Sequence, residues 1–105
     1  MNREELYLEG KEMLRKFYDT AAYGGGGGMH SADYKQRIVE QYFVPAANQG
    51  CVEAMKECGD HYLSTNKVKA ALYYKMYVNH YPGNSFSKVI LKSQIAARLL
   101  KKNRY

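Results

Sequence analysis

Ala-Asn-Gln-Gly-Cys-Val-Glu-Ala-Met-Lys-Glu-Cys-Gly-Asp-His-Tyr-Leu-Ser-Thr-Asn-Lys-Val-Lys-Ala-Ala-Leu-Tyr-Tyr-Lys-Met, residues 47 to 76, is the stretch that decides the fold. Small residues and tyrosines recur in it at helical, not alternating, spacing. Ala54, Met55, Cys58 and Tyr62 make one stripe of a 3.6-residue helix over about 51–64. Ser64-Thr65-Asn66 supplies a stop and a cap, after which Val68, Ala71, Leu72, Lys75, Met76 and Tyr77 continue a second helix to about residue 80. Gly59 costs about 1 kcal/mol relative to alanine inside a helix. A glycine kept at that position predicts close approach of a neighbouring backbone. Two helices joined by so short a link read as a helical hairpin.

The flanks extend the same pattern. Leu6, Met13, Leu14, Phe17 and Tyr18 form an apolar stripe over about residues 3–20, and Glu4 and Glu5 sit where the helix dipole favours negative charge. Gly24 to Gly28 follow as an unbroken run, whose backbone entropy predicts a flexible connection over 23–30. A phosphate-binding loop would space its glycines and follow a strand, and neither condition is met. Ser31 can cap the next helix, with Ile38, Val39, Tyr42 and Phe43 as its stripe. Pro45 should end or kink that helix at Val44, and Gln49-Gly50 should close it. After Tyr81-Pro82-Gly83, Asn84 or Ser85 can cap a last helix. Its Phe86, Val89, Ile90, Ile95, Ala96, Leu99 and Leu100 are expected to point inward, with Lys88, Lys92, Arg98, Lys101 and Lys102 outside. β-Branched residues are too scattered to argue for strands. The expected fold is therefore all-α: a single domain over 1–105 with about five helices in stacked antiparallel hairpins, the C-terminal helix capping the array.

Composition agrees with an ordinary soluble globular chain, at 46% hydrophobic and 25% charged residues. No run of about 18 apolar residues occurs, and Met1-Asn2-Arg3-Glu4-Glu5 lacks the basic start of a signal peptide, so the expected compartment is the cytoplasm with no membrane partner. The net charge of +6 is unevenly spread. Residues 1–65 carry all ten acids against seven bases, whereas residues 66–105 carry nine bases and no acid. That half could attract an acidic protein, nucleic acid or a membrane surface, face the acidic half of another copy, or be a solvated surface.

Segments of the chain echo one another. Gly10 corresponds to Gly59, and Leu14 to Leu63, at a shift of 49 residues, while Gly50 corresponds to Gly83 at a shift of 33. The shorter shift is near the tetratricopeptide period of about 34 residues. The longer one is what a glycine-rich insertion between the helices of the first unit would create. Ala47, Gly50, Ala54, Gly59, Tyr62, Lys69-Ala70 and Tyr73-Tyr74-Lys75 stand at the positions of the Sel-one-like repeat, a relative of the tetratricopeptide repeat, which residues 47–76 resemble. Cys58 replaces the usual leucine, the link between helices lacks the usual glycines, and Tyr77-Val78-Asn79-His80 departs from the alanine-rich ending. The resemblance implies stacked helix pairs whose first helices line a concave surface for proteins or peptides.

Chemistry is sparse by comparison. Cys51 and Cys58 lie two helical turns apart, about 10 Å, beyond the roughly 7 Å between Cα atoms that a disulfide spans. They read as reduced packing thiols. With Asp60 and His61 they invite a metal reading, but structural zinc uses cysteines two to four residues apart with a second pair further on. A Cys–His nucleophile needs a base in reach and an oriented third group, which one helix does not specify. His61 is expected on the helix surface. Of the eleven tyrosines, Tyr42, Tyr62 and Tyr73 have core spacing, and Tyr7, Tyr74, Tyr77 and Tyr81 are expected to be exposed. The function expected is a non-enzymatic protein–protein interaction module without metal or cofactor. Candidate contact residues are Lys11 and Arg15 on the first helix, Lys56 and Asp60 on the third, and Lys88 and Lys92 on the last, set against a protein or peptide partner, an acidic one among them. A nucleic-acid-associated protein using the basic half, with tyrosines to stack on bases, is the second reading.

Overall fold

A computed structural model of the chain describes residues 1–22 and 31–101, all in helices and short connections. The glycine run expected to form a flexible loop at 23–30 lies outside the described residues, as do Lys102 and Arg104. Helix α1 (Arg3–Ala22) opens with an Asn2–Glu5 box, in which the Glu5 amide donates to Asn2 Oδ1 at 2.8 Å and the Asn2 amide donates to Glu5 Oε1 at 3.0 Å. Next come α2 (Ser31–Ile38), a π-helical turn (Val39–Phe43) and α3 (Val44–Asn48), followed by α4 (Val52–Tyr62), α5 (Lys67–His80) and α6 (Ser85–Leu100). The fold is all-α.

Pro45 does not end its helix. Val44 keeps right-handed helical angles (φ −62°, ψ −50°), and its amide donates to Val39 O, five residues back. A proline ring collides with the carbonyl four residues earlier. Widening the preceding turn to the i→i+5 pattern lets the rod pass through Pro45 with its direction adjusted. α2, the π turn and α3 are thus one interrupted rod, and the described residues form five rods. That rod closes on a Schellman motif: Gly50 at φ +102° donates to Ala47 O, and Cys51 donates to Ala46 O, both at 2.9 Å.

Consecutive rods run antiparallel. Arg3 Nη1 donates to Gln49 O at 3.2 Å, the Tyr7 and Phe43 rings lie 5.8 Å apart, and Phe17 stacks on Tyr34 at 4.3 Å, so α1 descends as its partner rises. In the next hairpin Tyr62 stacks on Tyr73 at 5.9 Å, and Gly59 lies under the Tyr74 ring. α6 returns along α5, and Lys67 Nζ donates to the carbonyls of Leu99 (3.2 Å) and Lys101 (2.9 Å) at its C-terminus. The core runs through these seams: Leu14, Ile38, Val39, Phe43, Ala46, Ala47, Cys51, Ala54, Met55, Cys58, Tyr62, Ala70, Tyr74, Val78 and Ile95. Ala54, Met55, Cys58 and Tyr62 are buried as their spacing required.

Two expectations are corrected here. What approaches Gly59 is an aromatic ring, not a backbone: a Cβ there would lie 2.6 Å from Tyr74 Cδ1. Tyr74, expected at the surface, is the largest fully buried side chain. The inner face of α5 is accordingly Ala70, Tyr74 and Val78, leaving Val68 73% and Leu72 58% exposed. α6 departs further. Of the residues expected inward only Ile95 is buried, while Leu91, not foreseen, and Leu99 are half-buried. Phe86, Val89, Ile90, Ala96 and Leu100 face solvent. Both helices carry apolar residues around most of their circumference, so periodicity alone could not select the packed side.

Candidate functional site

The seam between α4, α5 and α6 is tied by one carboxylate. Asp60 sits in the last turn of α4, where the Gly59 backbone lets the Tyr74 ring slide close enough for its hydroxyl to donate to Asp60 Oδ1. Arg98 Nη1 donates to the same oxygen at 3.1 Å, and Lys56 Nζ donates to Oδ2 at 3.0 Å. Three helices therefore meet at one side chain. Burial, reinforced by the neighbouring carboxylate, pushes the Tyr74 hydroxyl up to about 12. The Arg98 guanidinium is raised further, chiefly by its contact with Tyr74.

His61 is a second tie. It is half-buried, not on the open surface as its sequence position suggested, with Nε2 at 2.5 Å from Gln36 Oε1 of α2 and its ring edge-on to Tyr62 at 4.9 Å. A ring that donates through Nε2 satisfies this geometry in its neutral form. Burial lowers its proton affinity, helped by Lys35 and opposed by Glu40. Cys51 and Cys58 are free and buried. Burial pushes the Cys58 thiol up to about 12 and raises Cys51 as well. Among the described residues no three His, Cys, Asp or Glu side chains gather where they could hold a metal ion.

The six contact residues expected from the sequence fall into two groups. Lys11 pairs with Glu57 at 3.8 Å, Arg15 with Glu12 at 2.5 Å and Asp19 at 2.8 Å, and Lys56 with Asp60. These four positions, Lys11, Arg15, Lys56 and Asp60, thus spend their charge inside the chain. Only Lys56 and Asp60 are brought together. Lys88 and Lys92 form no ion pair with any described residue, and Lys92 lines a groove between α5 and α6.

That groove is apolar along its walls and basic at its edge. Ala71, Val78, Ile95, Ala96 and Leu99 form its apolar walls, and Lys75, Asn79 and Lys92 its polar edge. It continues past Leu99 onto Val68 and Leu72 beside Lys67. No carboxylate lines either portion. Of the other bases in this half, Lys67 is committed to the α6 carbonyls, Lys69 lies 5.0 Å above the Tyr62 ring, and Arg98 is held by Asp60. Lys75 and Lys92, with Lys67 at the far end, give the groove its charge. The sequence reading placed Val68, Leu72 and Lys75 on this helix without singling them out as contact residues. The signal available was Tyr74, whose i−4 and i+4 neighbours Ala70 and Val78 offer an alternative stripe.

A contrasting groove, between Tyr7, Glu53, Lys56, Glu57, Tyr77 and Tyr81, mixes both signs of charge. No described helix is long and apolar enough to cross a membrane. No protein-family model, curated protein or solved structure matches the chain.

Proposed function

We propose that this protein is a non-enzymatic interaction module that takes a protein or peptide segment bearing both apolar and acidic side chains in the α5–α6 groove. The observation that carries this is the groove's composition: exposed Val68 and Leu72, apolar Ala71, Ala96 and Leu99 beside them, and Lys67, Lys75 and Lys92 on the rim without a carboxylate. An apolar floor supplies affinity, while rim cations discriminate against basic segments and speed encounter. The Sel-one-like reading of residues 47–76 belongs to the same proposal. It is supported by Ala54, Gly59, Tyr62 and Ala70, which lie in the α4–α5 seam where such a unit packs its small and aromatic residues. Two free thiols suit a reducing compartment such as the cytoplasm.

Fluorescence anisotropy with an acidic amphipathic helical peptide tests the reading. Binding should weaken modestly with salt and drop at least about tenfold in Lys75→Glu/Lys92→Glu, and a similar drop in Leu72→Asp would show that the apolar floor is used. A single-stranded oligonucleotide that binds with a steep salt slope, while the peptide does not bind, would instead favour nucleic acid as the partner.

A further inference from the structure

We propose that two copies of this chain pair through the outer face of α6, antiparallel about a twofold axis beside Ser93. This goes beyond the peptide-binding reading and does not depend on it. α6 packs on α5 through Ile95, flanked by half-buried Leu91 and Leu99. At about 100° per residue, the side directly opposite carries Phe86, Val89, Ile90, Ser93, Ala97 and Leu100. Phe86 is 74% exposed, Val89 64%, Ile90 44% and Leu100 78%. A helix that ends a stack needs a polar outer face, and one that is apolar on two opposite sides sits between neighbours.

The pattern of the stripe identifies the neighbour. When two α6 helices run antiparallel and cross at Ser93, Phe86 lies opposite Leu100 of the other copy and Val89 opposite Ala97. Valine meets alanine near the middle, and serine meets serine at the axis. Small residues there allow an interaxial distance near 8 Å. The axis falls at the middle of Ser85–Leu100, so the helices overlap along their whole length. Such self-complementarity is what an isologous interface requires.

Charge supports the same occupant. Lys88, Lys92 and Arg98 lie about 120° or more around the helix from the stripe's centre, and Arg98 is held by Asp60. Pairing therefore brings no like charges face to face. An acidic peptide would find no cation on this stripe, and an anionic membrane would call for lysines flanking it. The four large side chains leave on the order of 450 Å² open per copy, so pairing removes roughly 1,000 Å² in total, the lower edge of a specific interface. The dimer should accordingly form and dissociate in the micromolar range.

Sedimentation velocity of the intact chain from about 5 to 500 µM reads this directly. The weight-average mass should rise toward twice the monomer value, and Ile90→Glu should raise the dissociation constant at least about a hundredfold while circular dichroism stays unchanged. Mild oxidation adds the geometry. Ser93→Cys should cross-link to itself, and Phe86→Cys should cross-link to Leu100→Cys in a mixture but not to itself, with buried Cys51 and Cys58 silent. A monomer across the whole range overturns the proposal. So does a dimer indifferent to Ile90→Glu, self-linking of Phe86→Cys in preference to Leu100→Cys, or a monomer that sediments with phosphatidylserine vesicles through the same stripe.

Discussion

Gly59 and Tyr74 form the contact on which the second hairpin closes. The ring occupies the space a side chain would fill, with Cδ1 and Cε1 both 2.6 Å from an added Cβ. An ordinary glycine-to-alanine change inside a helix gains about 1 kcal/mol. Gly59→Ala should reverse that sign, because displacing a ring already buried and bonded to Asp60 costs about 1–3 kcal/mol. Net destabilisation near 1–2 kcal/mol in urea unfolding is the expected result. Tyr74→Phe keeps the ring and loses only the hydroxyl, at a cost of about 1 kcal/mol, since Arg98 and Lys56 still satisfy Asp60. His61 adds a pH dependence. Its folded-state proton affinity is below that of the unfolded chain, so acidification below about pH 6.5 favours the unfolded chain, which takes up the proton more readily. Stability should fall between about pH 7 and pH 5, and His61→Gln should flatten that part of the profile.

At the scale of the element, what the sequence revealed depended on how one-sided each helix is. α4 has a clean stripe, and every residue placed in the core from it is buried. The caps were equally legible: Asn66 Oδ1 accepts from the Lys69 amide at 3.2 Å, and Asn84 Oδ1 accepts from the Ser87 amide at 2.8 Å. Asn66→Ala should destabilise the fold by about 1 kcal/mol, lowering Tm by several degrees in calorimetry, because it orphans an amide at the start of the hairpin's second helix. Pro45 is expected to end or kink its helix because the local rule is steric, and of the two the chain takes an interruption without an end. The chain satisfied that rule by a π turn, which no residue pattern announces. In α5 and α6 the apolar residues surround the axis, and only tertiary placement shows which side packs. The same ambiguity hid the groove, because the spacing of apolar residues in α5 does not tell that Val68, Leu72 and Lys75 lie on its open face.

The whole molecule is a slab of 46 × 42 × 20 Å with a radius of gyration of 15.0 Å, above the roughly 13 Å of a near-spherical chain of this length. A flat stack of rods leaves its end helix with one neighbour. In the acidic half Lys11–Glu57 ties α1 to α4 and Arg15 pairs within α1, and the basic half keeps Lys75 and Lys92 open beside an apolar floor. The charge asymmetry of the sequence corresponds to the α5–α6 end, where Lys75 and Lys92 border the apolar groove, while Lys11, Arg15, Lys56 and Asp60 pair with one another or with neighbouring carboxylates. Amide chemical-shift mapping of the labelled protein, titrated with an acidic amphipathic peptide, tests this most directly. The account predicts perturbations confined to Val68, Leu72, Lys75, Lys92, Leu99 and their neighbours; perturbations centred on Lys11, Arg15 and Lys56, or none at all, would contradict it.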